Sequence, residues 1–231
     1  MTAPAITSVG VVVPARDEQE LLPGCLDALE VAATTARDVL GVTVDQLVVL
    51  DRCVDGTAAV VRERLDVRGL EVAAGNVGTA RAVGFADVIE RQHGARLDAL
   101  WLATTDADTR VPADWLVAQL ALAATGADLV LGTVDVDDWS AHPPHVEAVW
   151  RAGYEPRDGH RHVHGANIGL RADVYVEVGG FARLDRDEDV ALVAAAAHRK
   201  VVRSGALTVV TSGRTAGRAV GGFADHLANL A

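Results

Sequence analysis

A single α/β domain, with a mostly parallel central sheet covered by helices on both faces, is the architecture this sequence predicts. Short apolar runs of four to six residues, rich in Val and Leu, recur along most of the chain, as strands buried on both faces do. Between them lie stretches with apolar residues at helical spacing. Gly, Pro, Asn and Asp gather at the junctions. Strand and helix in alternation form a parallel sheet whose ligands bind outside the carboxyl ends of the strands.

The first strand is expected at Val9 to Val13, followed by a helix from Glu20 to Val31 that carries Leu21, Leu22, Cys25, Leu26 and Leu29 on one stripe. Strands at Gln46 to Leu50 and Leu70 to Ala74 enclose a helix at Thr57 to Leu65, and a helix at Thr79 to Gln92 precedes a strand at Ala99 to Ala103. Pro112 stands where a first helical turn tolerates it, ahead of a helix at Ala113 to Ala124 and a strand at Leu129 to Val134. Regularity breaks over 135–161, where "DVDDWSAHPPH" and "EPRDGHRH" read as loops around a short helix at Val146 to Tyr154. It resumes with a strand at Asn167 to Leu170, a helix from Ala172 to Val178 and the turn Gly179-Gly180-Phe181. A helix at Glu188 to Ala197 and a strand at Ala206 to Thr211 complete the pattern. No internal repeat or low-complexity linker interrupts it.

At 231 residues and 50% hydrophobic content the chain can bury one substantial core. Its net charge of -11 argues against nucleic acid or an anionic membrane as partner, since both need a basic surface. Lys200 is the one lysine, so phosphate contacts fall to arginine, whose planar fork suits them. Cys25 and Cys53 form no Cys-x-x-Cys pair and no disulfide framework, and a reducing cytoplasm is expected. Neither a signal peptide nor a membrane span is expected, because no basic n-region opens the chain and no stretch stays apolar for ~18 residues.

The chemistry gathers at the strand ends. "LWLATTDADTR" runs from an apolar strand into Asp106 and Asp108, which would share a side if strand geometry continued. Two such carboxylates need a cation or hydrogen-bond donors, or else belong to an ordinary turn. There are four Asp-x-Asp pairs among the 22 Asp, so position carries the argument. The other strands end in Pro14-Ala15-Arg16-Asp17-Glu18, in Asp51 with Asp55-Gly56-Thr57, and in Asn76-x-Gly78-x-Ala80-Arg81. Each also has a structural reading: Asp17 and Thr57 as helix caps, Asp55-Gly56 and Asn76 as turns, Arg81 in solvent.

Those segments, with Asp106-x-Asp108, Gly165-Ala166-Asn167, Gly179-Gly180-Phe181 and Glu188-Asp189 in that order, resemble the family-two glycosyltransferases of the GT-A fold. The resemblance implies a nucleotide-binding half over about 1–110 and an acceptor-side half over about 111–231 of one domain spanning 1–231. It places Pro14, Ala15, Arg16, Glu18 and Asp51 around base and ribose, and Arg81 toward the uridine and diphosphate, with Gly78 giving the backbone room to approach. Asp106 would meet ribose or a metal-bound water, and Asp108 would hold Mg²⁺ or Mn²⁺. Gly165, Ala166 and Asn167 would border donor sugar and acceptor. Asp189, beside Glu188 at a helix start, matches the family's general base; the alternative for this pair is two acids favoured by the helix dipole.

The implied partners are a nucleotide-diphosphate sugar, UDP-linked by default, and an acceptor hydroxyl, in a chain compatible with a homodimer. Hard divalent cations need only one or two carboxylates plus substrate phosphates. For a third ligand, His162, His164, His198 and His226 stand as candidates. The Gln-x-x-Arg-Trp signature of processive synthases is missing, so transfer of a single sugar is expected. Arg214 and Arg218, among Gly213, Gly217, Gly221 and Gly222, read either as a flap over the diphosphate or as a frayed tail. A haloacid-dehalogenase phosphatase lacks its second acidic cluster here, and a Rossmann dehydrogenase lacks Gly-x-Gly-x-x-Gly after the first strand. A GT-A-like module that binds nucleotide without catalysis is the remaining alternative.

Overall fold

The computed structural model describes residues 4–92, 96–218 and 222–230. In chain order its elements are β1 (Ser8–Ala15), α1 (Leu22–Leu40), β2 (Thr43–Asp51), α2 (Thr57–Arg62), β3 (Val67–Val72), α3 (Val77–Arg91), β4 (Leu100–Thr104) and β5 (Thr109–Arg110). There follow α4 (Trp115–Ala124), β6 (Leu129–Val136), α5 (Pro144–Gly153), β7 (Ile168–Arg171), α6 (Ala172–Glu177), α7 (Glu188–Ala195), β8 (Val201–Thr211) and α8 (Phe223–Ala228).

The strands form one sheet in the order β3-β2-β1-β4-β7-β6-β8-β5. The run from β3 to β4 is parallel, as is the β6–β8 pair. β7 lies antiparallel between β4 and β6, and β5 is antiparallel to β8. Alternation along each strand builds two cores. On one face Val9, Val11 and Val13 of β1 pack with Leu22, Leu26 and Leu29 of α1 and with Trp115 and Leu116 of α4. On the other, Val12 packs with Phe85 and Val88 of α3, Tyr175 of α6 and Leu192 of α7. α3 lies close on the sheet because two glycines leave room: a Cβ on Gly84 would come 2.5 Å from Val12, and one on Gly10 would come 2.2 Å from Val88. That seat brings Arg81, in the second turn of α3, to Asp106 just beyond the carboxyl end of β4.

Several expected boundaries move. α1 continues nine residues past Val31 because Ala32, Ala33 and Ala36 supply its apolar stripe without large side chains. Gly41, at φ 67°, closes the helix with its N–H on the Arg37 carbonyl. β3 starts at Val67, and β8 at Val201 rather than Ala206. The pairing of β6 with β8 slips between Leu131 and Thr133, so the early part of β8 is separated from the predicted strand by an irregularity. β5 and α8 were not expected at all. Leu227 of α8 is fully buried against the main core, so this end of the chain packs back onto the domain.

Candidate active site

The loops after β1, β2, β4 and β8, together with the start of α7, enclose a cavity of about 830 Å³. Pro14, Ala15, Arg16, Glu18, Asp51, Arg81, Asp106, Asp108, Gly165, Ala166, Glu188 and Asp189 all line it. Gly78 and Asn167 do not. A Cβ on Gly78 would come within 2.9 Å of both the Ala182 carbonyl and the Glu188 side chain, so this glycine lets α3 and α7 approach each other rather than a ligand. Asn167 is fully buried, accepts from Trp115 Nε1 at 2.9 Å, and donates to the carbonyls of Thr133 and Leu207. It bridges the slip between β6 and β8, leaving nothing to offer a sugar.

The loops after β1 and β2 are tied together. Asp17 accepts the Val54 N–H at 2.7 Å, Gln19 accepts the Gly56 N–H at 2.7 Å, and the Glu18 N–H donates to Thr57 Oγ1 at 2.8 Å. Asp17 and Thr57 therefore join loops instead of capping helices, whereas Asn76 does cap α3, accepting from the Thr79 N–H at 2.7 Å. Asp51 accepts the Gly75 N–H at 2.9 Å. Asp17 (φ 53°) and Arg52 (φ 54°) take left-handed conformations at these sharp exits from the sheet.

Asp106 and Asp108 do not prolong β4. The Thr109 N–H donates to the Asp106 carbonyl at 3.1 Å, closing a turn that aims the two carboxylates at different arginines. Asp106 takes Arg81 Nη2 at 2.5 Å. Asp108 takes Arg214 Nη2 at 2.7 Å, and the same guanidinium grips Glu18 at 2.8 and 2.7 Å. Arg81 also pairs with Glu188, so it lies buried at 3% exposure rather than in solvent. Gly165 has to be glycine at this place, since a Cβ would come 2.4 Å from that guanidinium.

The Glu188 carboxylate is thereby committed to Arg81. Its ion pair holds Arg81 beside the cavity. Asp189 faces the cavity, oriented by the Gly165 N–H at 2.7 Å and the Val190 N–H at 2.8 Å.

Five carboxylates, Glu18, Asp106, Asp108, Glu188 and Asp189, thus share two guanidiniums, Arg81 and Arg214. Burial, with Asp106 and Glu18 adding to it against the pull of Arg214, pushes Asp108 up to about 6. Burial likewise raises Asp189 and Glu188 against the pull of Arg81. Cys25 lies beneath the turn, its Sγ 3.4 Å from the Asp106 carbonyl, and burial pushes its thiol well up, which suits packing and not nucleophilic work.

The far wall is aromatic, and the sequence reading missed it. Trp150 and Tyr154, one turn apart on α5 and at its end, stack at 4.2 Å, and Tyr154 stacks on His162 at 4.0 Å. Phe223 of α8 meets Trp150 edge-on. The i, i+4 spacing of Trp150 and Tyr154 was the available signal. His162, His164 and His226 line the cavity, whereas His198 pairs with Glu177 at 2.8 Å away from it. Among the described residues no group of three or more His, Cys, Asp and Glu side chains stands ready to hold a metal. Of the glycine-rich segment, Gly217, Arg218 and Gly222 line the cavity, and Gly221 lies outside the described residues.

His164 yields a pH prediction. Burial, followed by His162, His160 and His226, pushes its pKa down to about 3, so the ring is neutral and its Nε2 shares a hydrogen bond of 3.0 Å with the Tyr154 hydroxyl. The folded value lies below the ~6.5 of an unfolded histidine. Between those two values the unfolded chain binds a proton that the folded chain refuses, so stability falls as pH falls. From pH 7 to 5 this ring accounts for about 1 kcal/mol once its partial exposure is allowed for. Urea midpoints of His164→Gln should decline less than wild type over that interval by this amount; parallel declines would assign the slope elsewhere.

The fold is similar to that of S. aureus TarS 1–349 in complex with UDP-GlcNAc, at TM-score 0.64 and 14% identity, over 91% of this chain and 60% of that one. It is similar to the Pyrobaculum calidifontis mannosyltransferase PcManGT in complex with GDP-Man and Mn²⁺, at TM-score 0.64 and 18% identity, over 90% and 58% of the two chains. Glucosyl-3-phosphoglycerate synthase from Mycobacterium tuberculosis, in complex with Mn²⁺, UDP and glucosyl-3-phosphoglycerate, gives TM-score 0.52 and 14% identity over 96% and 75%. The chain spans about three fifths of the first two proteins. No curated protein matches it significantly by sequence. The model of glycosyl transferase family 2 matches residues 10–172, well over half of the chain and including every strand-end loop from Pro14 to Asn167. The chain belongs to glycosyl transferase family 2.

Proposed function

We propose that this protein transfers a single sugar from a nucleotide-diphosphate sugar to an acceptor hydroxyl, with inversion at the anomeric carbon. The observation that carries the reading is the placement of Asp108 and Asp189 on one cavity, the first beside the cationic Arg214, the second at the start of α7. Residues before about 110 form the nucleotide side, with Asp51 and the loop from Pro14 to Glu18 around base and ribose. The later residues form the acceptor side, where Trp150, Tyr154 and Phe223 offer flat apolar faces.

The site fits a hard divalent cation. Its carboxylates outnumber its guanidiniums, and Asp108 Oδ1 has only a long 3.4 Å contact with the Thr109 hydroxyl. Asp108 would hold Mg²⁺ or Mn²⁺, with Asp106 beside it and substrate phosphates completing the shell. When bound, the ion supplies Lewis-acid stabilisation to the departing diphosphate.

The chain's own groups do the rest. Asp189, ionised, takes the proton of the acceptor hydroxyl as that oxygen bonds to the anomeric carbon. The bond from that carbon to the diphosphate oxygen breaks, and the nucleoside diphosphate leaves with the electron pair. Arg81 keeps Glu188 and Asp106 in place, so Asp189 and the phosphate side hold a fixed separation. The family match ends at residue 172, so the role of Asp189 rests on its geometry.

Thermal unfolding with UDP or GDP, each with and without Mn²⁺, tests the reading. A bound diphosphate at a hundred times its dissociation constant should stabilise by about 2.7 kcal/mol. That gain should require Mn²⁺ and vanish in a folded Asp108→Ala protein. No stabilisation by either diphosphate would overturn the proposal.

A further inference from the structure

Arg214 stands where a cation is needed before any ligand arrives. We infer that Arg214 holds Asp108 in the free protein and hands it over when a divalent cation binds, turning its released N–H to the diphosphate. The inference rests on the nucleotide-sugar reading above. Its grip on the two carboxylates is unequal: Nη1 and Nη2 donate to Glu18 Oε2 and Oε1 at 2.8 and 2.7 Å, whereas Asp108 receives a single Nη2 contact at 2.7 Å. Losing Asp108 therefore leaves the bidentate anchor intact.

That anchor is itself fixed. Glu18 is buried at 5% exposure, in the loop whose N–H is held by Thr57. The backbone that carries Arg214 is fastened too: the Ser212 N–H donates to the Asp108 carbonyl at 3.1 Å, the Gly213 N–H to Asp137 at 3.0 Å, and His142 bonds the Gly213 carbonyl at 2.6 Å. Residues 212–214 are thus a pinned strap and not the flap the glycines suggested, and only the side chain has to move. A guanidinium has five N–H donors. Glu18 occupies two and Asp108 one, so after the exchange three are uncommitted on a side chain that lines the cavity.

The physical consequence is coupling. A divalent cation arriving alone must displace an arginine from Asp108 with no new partner for that arginine. When it arrives with a diphosphate, the released N–H gains an anionic acceptor. Each ligand then strengthens the other, as reciprocal linkage requires.

The test is calorimetric titration of the whole chain with Mn²⁺ alone and with UDP and GDP in saturating Mn²⁺. In Arg214→Gln, Mn²⁺ alone should bind about tenfold more tightly and the diphosphate about tenfold more weakly, shifts of opposite sign within the usual range of site coupling. Arg214→Lys keeps a charge for Glu18 should the glutamine variant fail to fold. Its ammonium lacks the two-nitrogen fork that grips Glu18 while reaching Asp108, so Mn²⁺ alone should tighten several-fold there too. Unchanged or weaker Mn²⁺ binding in the folded variants, with wild-type diphosphate binding intact, overturns the exchange alone. A wild-type protein that binds neither diphosphate overturns the nucleotide-sugar reading itself.

Discussion

Asp189→Asn is expected to lower kcat by about 10²- to 10⁴-fold, the usual contribution of a positioned general base, with little change in the KM for the donor. Asparagine matches the aspartate in shape and keeps an acceptor for one of the two backbone donors, the Gly165 or the Val190 N–H. It cannot take a proton. The pH profile separates this role from a structural one. Burial raises the Asp189 pKa above its ordinary value, against the pull of Arg81, and only the ionised form works. Wild-type kcat/KM should therefore fall as pH drops through that raised value, while the residual rate of the variant lacks that acid limb. A folded Asn variant that retains kcat within threefold would remove Asp189 from the chemistry.

Fold class and the order of the strand-end loops were legible because they depend on local pattern. The apolar runs at β1, β2 and β4 are buried on both faces, and such burial shows in sequence as unbroken apolarity. What depended on partners distant in sequence was not legible. The Arg214–Glu18 pair spans 196 residues and the Arg81–Glu188 pair 107, and no spacing rule reaches across such gaps. Glu188 and Asp189 are neighbours at a helix start, and sequence does not tell which way each carboxylate turns. The structure separates them, since one carboxylate turns to Arg81 and the other to the cavity.

Asn167 was expected to border the sugars because it closes the Gly165-Ala166-Asn167 segment of the family resemblance. It instead answers two carbonyls left open by an irregular pairing of β6 with β8 that periodicity does not reveal. The far end of α1 was missed for a simpler reason: alanines bury as well as leucines but give weak contrast against a helix's polar face.

The second large effect concerns Arg81. Its guanidinium, on α3, binds Asp106 after β4 and Glu188 on α7, and its face lies 5.7 Å from the Phe181 ring. Arg81→Met preserves much of the side chain's length and removes its charge. Glu188, whose side chain is 5% exposed, is then a buried carboxylate without a cation, with Asp189 and Asp106 still nearby. Breaking a buried ion pair from one side costs about 3–5 kcal/mol, so the urea midpoint should drop by that equivalent.

Arg81→Lys should rescue little, because one ammonium cannot reproduce a fork that donates to two carboxylates at once. Adding Glu188→Gln to Arg81→Met should recover part of the loss, since the second change removes the charge that the first leaves stranded. A double variant no more stable than the single one would mean that Arg81 acts through packing against Gly165 and Phe181, and that the acids at the start of α7 do not depend on it.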